Sequence, residues 1–296
     1  MDDDRSVLMP HTFLSTLTGA FAYPVAENPT VAIMEAAYTH HNIDARYLNC
    51  EVTPEQLGDA VRGAVAMGWA GFNCSIPNKV EVIAYLDELA DSARLIGAVN
   101  CVINRDGYLV GENTDGKGFV ESLRTVADPV GQHFFIMGAG GAARAIAVES
   151  ALAGAASITI TNREAARGQL VVDIVAKHTP ASATFVPWIG DAVVPANTDI
   201  VVNATSIGLF PDSDARVPLA VDSLCAGQVV ADVIHNPPMT RLLTDAAAHG
   251  CVILDGRGML VNQARVNMFL WTGIDANGAV MRAVLDDLFG ASTQPI

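Results

Sequence analysis

Along the chain, short β-branched and apolar runs alternate with Ala-rich segments of helical spacing, the pattern of a sheet whose strands are joined through crossover helices. Residues 14–20 read as a strand, 30–41 as a helix opening after Pro29, and 45–48 as a second strand. Residues 54–67 are predicted helical, with Thr53 placed to cap the helix and Pro54 in its first turn, where a missing N–H does no harm. A short strand at 71–75 and a helix at 80–91 follow. Near Gly116 the pattern changes: an apolar strand at 133–137 leads into a glycine cluster and a long Ala-rich helix. Further strands are predicted at 157–161, 199–203, 229–234 and 252–254, spaced as a doubly wound parallel sheet requires. From residue 261 onward only helix is expected, and this tail should pack back onto the first part of the chain.

Composition narrows the class. With 296 residues, 51% of them apolar and 17% charged, the chain is large enough for two folded domains. Its longest apolar-rich stretch, 145–160, is interrupted by Glu149 and Gly154 and is too short to span a bilayer. The start, Met1-Asp-Asp-Asp-Arg5, is acidic where a targeting peptide would be basic, so a cytoplasmic protein is expected. The formal charge of −15, from 32 acids against 17 bases, has no basic cluster to offset it, which argues against nucleic acid and anionic membranes as partners. Any anionic cofactor must then be captured by backbone amides or single arginines. The five cysteines form no C-x-x-C pair, and His40 and His41, as helix neighbours, should point apart, so neither a disulfide framework nor a metal site is expected.

The glycine cluster carries the first chemical signal. The run Phe134-Phe-Ile-Met-Gly138-Ala139-Gly140-Gly141-Ala142-Ala143-Arg144 is a G-x-G-x-x-A fingerprint on a predicted strand-to-helix turn. Its first glycine permits the tight turn, its second lets the backbone approach a pyrophosphate, and the helix N-terminus offers free N–H groups and a positive dipole end. A nicotinamide dinucleotide is the cofactor this implies. The next strand ends Asn162-Arg163-Glu164-Ala-Ala-Arg167: Arg163 and Arg167 favour NADP, Glu164 favours NAD, and the choice stays open.

Further runs, in order, are Gly71-Phe-Asn-Cys-Ser75-Ile-Pro77-Asn-Lys79, Ile96-Gly-Ala-Val-Asn100, Gly111-Glu-Asn-Thr-Asp115-Gly116, Val202-Asn-Ala-Thr-Ser-Ile-Gly208, Asn236-Pro-Pro238 and Gly258-Met-Leu-Val-Asn-Gln263. With the glycine turn, they make the chain resemble the shikimate dehydrogenase family from about Pro54 to Gly273. The resemblance implies an α/β fold of two domains. Residues 1–115 plus 262–296 would form a substrate domain, and 116–261 a Rossmann NAD(P)-binding domain. It also implies a reversible dehydrogenase at a secondary alcohol of a small cyclic hydroxy acid such as shikimate, quinate or an amino analogue, of the kind used in aromatic amino acid biosynthesis, and a monomer or homodimer. By that resemblance Lys79 is the general acid/base, with Asp115 orienting it and holding a substrate hydroxyl. Ser75, Asn100 and Gln263 would bond ring hydroxyls, and Val233 and Gly256 would line the nicotinamide end. Thr205 and Ser206 would lie nearby. The chemistry agrees: removing a hydroxyl proton as hydride leaves carbon suits a lysine tuned by a nearby acid and partial burial from a free pKa of roughly 10.4.

Two departures stand out. The family's His-Ser-x-Ser-Pro run, whose hydroxyls hold the substrate carboxylate, is replaced by Tyr23-Pro-Val-Ala-Glu27-Asn28-Pro29, and the family tyrosine after Asp232 is His235. A carboxylate would meet the acceptor-only Glu27 if that side chain faces the cleft. The expectation is retained hydride machinery with altered substrate recognition, including a substrate that lacks the carboxylate. Alternatively Asn28, Thr30 or Thr18 replaces the serines and shikimate or quinate still binds. A nicotinamide-binding sensor without turnover would be expected to lose the lysine or the aspartate, and both are present. A reductase of another carbonyl or an imine also stays open.

Overall fold

Residues 13–290 are described by the computed structural model, and the acidic opening pentapeptide lies outside them. In chain order the first part comprises β1 (Thr16–Ala22), α1 (Thr30–His40), β2 (Ala45–Glu51), α2 (Leu57–Ala66), β3 (Gly71–Cys74), α3 (Asn78–Glu81), β4 (Glu88–Leu89), α4 (Asp91–Ile96), β5 (Cys101–Arg105) and β6 (Tyr108–Glu112). Its strands form a sheet of order β2-β1-β3-β5-β6-β4, with β1 parallel to β2 and β3, and β5 antiparallel to β3 and β6. Then follow α5 (Asp115–Leu123), β7 (His133–Met137), α6 (Gly141–Leu152), β8 (Ser157–Asn162), α7 (Ala165–His178), β9 (Ser182–Pro187), β10 (Ile200–Asn203), β11 (Val229–Asp232), α8 (Arg241–Ala248), β12 (Val252–Leu254), α9 (Gly256–Thr272) and α10 (Gly278–Phe289). This second sheet is wholly parallel, in the order β12-β11-β10-β7-β8-β9. Strand order reverses between β7 and β10, and a crevice opens at the carboxyl ends of strands at such a switch point.

The tail returns as expected. Val261, Ala264 and Met268 of α9 and Met281 and Leu285 of α10 share one core with Ala20, Ile33, Met34 and Tyr38 from β1 and α1. The expected division at residues 261 and 262 falls inside α9, which starts at Gly256. Helices α5 and α9 cross closely because Gly118 has no side chain there: a Cβ would sit 2.6 Å from the Gln263 backbone nitrogen. That contact fixes Gln263 against the start of α5.

Several predicted elements need correction. The helix at 80–91 breaks into α3, a 3-10 turn at Val82–Tyr85 and the short strand β4, because Leu86 turns extended and Glu88–Leu89 pairs in parallel with Val110–Gly111 of β6. The β5–β6 hairpin and β9 were not expected as strands. Strand β1 lies two residues later than read, and β2 runs on to Glu51. The helix predicted at 54–67 opens as a 3-10 turn, Pro54–Gln56, with Thr53 N–H donating to Gln56 Oε1 at 3.4 Å. The His40 and His41 rings do not point apart but meet edge-on at 4.9 Å, and the backbone N–H of Asn277 donates to His41 Nε2. No helix among the described residues is long and apolar enough to cross a membrane.

Candidate active site

Strand β3 ends at Cys74, and the chain turns through a cis Ile76–Pro77 peptide into the single turn of α3, which carries Lys79. Val99 N–H donates to the Lys79 carbonyl at 2.8 Å, so the segment before Asn100 braces this turn. Asp115 is the first residue of α5, and a carboxylate there gains from the positive end of the helix. The two side chains meet: Lys79 Nζ donates to Asp115 Oδ2 at 2.5 Å, with exposures of 23% and 12%. Asn100 Nδ2 donates to the other oxygen, Oδ1, at 2.8 Å. One carboxylate thus holds an ammonium on one side and an amide on the other, partly shielded from water.

This pair lines a cleft of about 530 Å³, and Ser75, Asn100 and Gln263 line it too. Val233, Gly256 and Ala142 come from the second sheet's side, so the cleft is where the two halves face each other. A larger hollow of about 790 Å³ behind α9 and α10 contains none of these groups. Glu27, Asn28 and Thr30 also line the cleft, as does His235, whose imidazole burial keeps more readily neutral by lowering its pKa. Thr18 does not reach it; that hydroxyl is fully buried, bonded to Tyr38 Oη at 2.8 Å.

The glycine turn is built as its sequence requires. Gly138 has φ +112, and a Cβ there would press on the Ala204 carbonyl oxygen at 3.0 Å. At Gly140 and Gly141 a Cβ would meet nothing within 4 Å, so open space lies in front of the N-terminus of α6, a cradle into which phosphates fit. Ala139 is buried behind the turn. Asn162 ends β8, and its Nδ2 donates to the Glu164 carbonyl at 2.9 Å. Glu164 is in an ion pair with Arg167 at 2.9 Å, while Arg163 is exposed and makes no ion pair among the described residues.

Sequence reasoning missed several cleft residues. Tyr47 and Asn73 line it, with Tyr47 Oη donating to Asn73 Oδ1 at 2.8 Å. The inward alternation of Ala45 and Tyr47 along β2 was a usable signal. Met259 and Leu260 add an apolar wall, and Leu209 closes the second side.

Residues 20–102 match the family model described as the shikimate dehydrogenase substrate binding domain, and 256–285 that of the shikimate 5′-dehydrogenase C-terminal domain. A shikimate dehydrogenase (NADP(+)) of Desulforamulus reducens is 38% identical over 90% of this chain and 93% of its own length. The crystal structure of ligand-free 5-ketofructose reductase of Gluconobacter sp. strain CHM43 is similar with a TM-score of 0.91 and 54% identity, covering 94% of this chain and 100% of that one. Shikimate 5-dehydrogenase from Listeria monocytogenes, solved with shikimate and NAD, gives a TM-score of 0.86 at 33% identity over 93% of this chain and 97% of its own.

Proposed function

The chain belongs to the shikimate dehydrogenase family, and on that premise we propose that Lys79 and Asp115 form the acid–base pair for hydride exchange at the carbonyl of a neutral polyhydroxylated ketone. That it is an NAD(P)-dependent dehydrogenase acting at a CH–OH group follows from the family itself.

A nicotinamide dinucleotide supplies, when bound, the hydride that no side chain can supply. Lys79 delivers the proton to the carbonyl oxygen during reduction and takes it back during oxidation. Asp115 holds the ammonium through Oδ2, and Asn100 keeps that carboxylate in place through Oδ1. Ser75 and Gln263 contribute polar groups to a substrate hydroxyl or carbonyl. The Gly138–Ala142 turn would hold the pyrophosphate, and Val233 and Gly256 would line the nicotinamide end.

The observation that carries the substrate class is the charge of the cleft wall. Among the described residues its single lysine or arginine, Lys79, is already paired with Asp115, and Glu27 adds a second carboxylate. His235 is shifted toward its neutral form. A substrate carboxylate finds no spare cation there, whereas hydroxyls and carbonyls find amides and hydroxyls. The 54%-identical relative is named for reducing 5-ketofructose, a neutral keto-sugar, which supports the same reading. For the cofactor, Arg167 offsets Glu164 and leaves Arg163 for a 2′-phosphate, so NADP is preferred. The five cysteines are all free, which suits a cytoplasmic location.

Steady-state kinetics with 5-ketofructose, shikimate and quinate, each with both cofactors, test this. The expected outcome is a preference for 5-ketofructose with NADPH by about a hundredfold or more in kcat/KM. A value for shikimate at or above about 10⁴ M⁻¹s⁻¹, the low end for efficient enzymes, would overturn the substrate class while leaving the acid–base pair untouched.

A further inference from the structure

The Gln263 amide lines the cleft, and the end it presents decides what chemistry a substrate must offer there. Three neighbours determine that end. The Thr114 backbone N–H can only donate, and it does so to Asn100 Oδ1 at 2.7 Å. Asn100 therefore directs its Nδ2 toward Asp115 Oδ1 at 2.8 Å and toward the Gln263 amide at 3.3 Å. An amide facing that N–H₂ must offer its oxygen.

Asn267 makes the same demand. It lies one turn further along α9, is fully buried, and does not line the cleft. The Thr114 hydroxyl donates to Asn267 Oδ1 at 2.7 Å, which leaves Asn267 Nδ2 to donate to Gln263 Oε1 at 3.1 Å. Gln263 Oε1 thus accepts from two amides, and its Nε2 has no hydrogen-bond partner among the described residues. With the opposite orientation, Gln263 would set an N–H₂ against the N–H₂ of Asn100.

The geometry points to Asn267 as a positioning residue that, through Gln263, holds an N–H₂ donor rather than a carbonyl acceptor toward the substrate. This rests on the reading of the cleft as the substrate site. The substrate must then present an oxygen lone pair to Gln263, from a carbonyl or a hydroxyl, and an ammonium group at that position is rejected because donor would meet donor.

The test is a double-mutant cycle. Asn267→Asp keeps an acceptor for Thr114 and removes the donor to Gln263; Asn267→Leu removes both. Each is made alone and with Gln263→Ala, and the folded state is checked by circular dichroism. The KM for the carbonyl substrate and the KM for NADPH are measured, with the Kd of the alcohol product by calorimetry. The assay uses 5-ketofructose, or shikimate with NADP⁺ if that pair turns over faster, with shikimate, NADP⁺ and the ketone product then taking the places of the ketose, NADPH and the alcohol product, so failure of the ketose reading leaves this test intact. The expected result is a rise of about tenfold in substrate KM and product Kd, with the NADPH KM within about twofold, and a change below about twofold in the Gln263→Ala background. Equal rises in both backgrounds, an equal rise in the NADPH KM, or no rise at all would overturn the proposal. Loss of the fold in both variants would overturn it too, because Asn267 would then serve the core rather than Gln263.

Discussion

At the residue scale, the site is one salt bridge with its supports. Lys79, Asp115, Asn100 and Gln263 were named from short runs that resemble the shikimate dehydrogenase family, and the structure brings all four to one cleft. Thr114 and Asn267 were not legible, because their roles arise from contacts across 153 positions of chain. On the proposed substrate class, Glu27 is the cleft carboxylate whose charge bears on substrate choice. Glu27→Gln should raise kcat/KM for shikimate by about two- to fivefold, the size expected of an exposed charge, and leave 5-ketofructose unchanged. Unaltered shikimate kinetics would show that Glu27 does not face a bound substrate. A second prediction concerns Asp232, at the end of β11. Burial raises its carboxyl to about 6, against hydrogen bonds from Ile234 N–H, Thr240 and Asn203 that pull it down. Since the folded value lies above the unfolded 3.8, the stability linked to its protonated form is complete below about pH 4 and is lost as pH rises through 6. The loss is at most about 3 kcal/mol. Carboxyl NMR should place its midpoint near 6; a midpoint near 4 would show that the hydrogen bonds outweigh burial.

At the element scale, the site depends on how α9 and α10 are fastened. Arg257 is fully buried, and with Arg282 it is bridged by Asp255 and Asp286 in a four-residue ion cluster at distances of 2.6–3.0 Å. Asp255 also caps α9 by accepting from Arg257 N–H at 3.0 Å. Removing one partner leaves a buried charge uncompensated, so Asp255→Ala should lower unfolding free energy in urea by about 3–5 kcal/mol. A loss below about 1 kcal/mol would mean that water reaches Arg257. The Gly118 crossing gives a sharper link to function. Gly118→Ala should displace Gln263 and reduce kcat/KM by about tenfold or more, because a Cβ has no room against the Gln263 nitrogen. Unchanged kinetics would show that α5 can slide without moving the site. The β5–β6 hairpin was within reach of the sequence, since Asp106-Gly107, with φ of 54° and 94°, is a dipeptide that favours the twisted two-residue hairpin turn. The break-up of residues 80–91 was not, because β4 exists only through its pairing with β6.

At the scale of the whole molecule, the second sheet could be read from spacing because β7, β10, β11 and β12 are nearly continuous apolar runs, as strands covered on both faces must be, while β8 alternates polar and apolar positions. The first sheet was harder, since its mixed directions depend on which strands meet. The return of the tail places Gln263 and Gly256 in the cleft beside groups from the chain's first half. The net charge of −15 adds a kinetic expectation. The protein repels an anionic dinucleotide at long range, so the NADPH association rate should rise as ionic strength goes from about 20 to 200 mM. A fall over that range would mean that local arginines dominate the approach. The central claim is that one ammonium, held by one carboxylate, moves the proton in this cleft, and Lys79→Ala tests it most directly. The account predicts a kcat lower by about 10²–10⁴-fold with the NADPH Kd, read by fluorescence titration, within about twofold of the parent. A kcat that stays within a few-fold of the parent, in a folded variant that still binds NADPH, would contradict it.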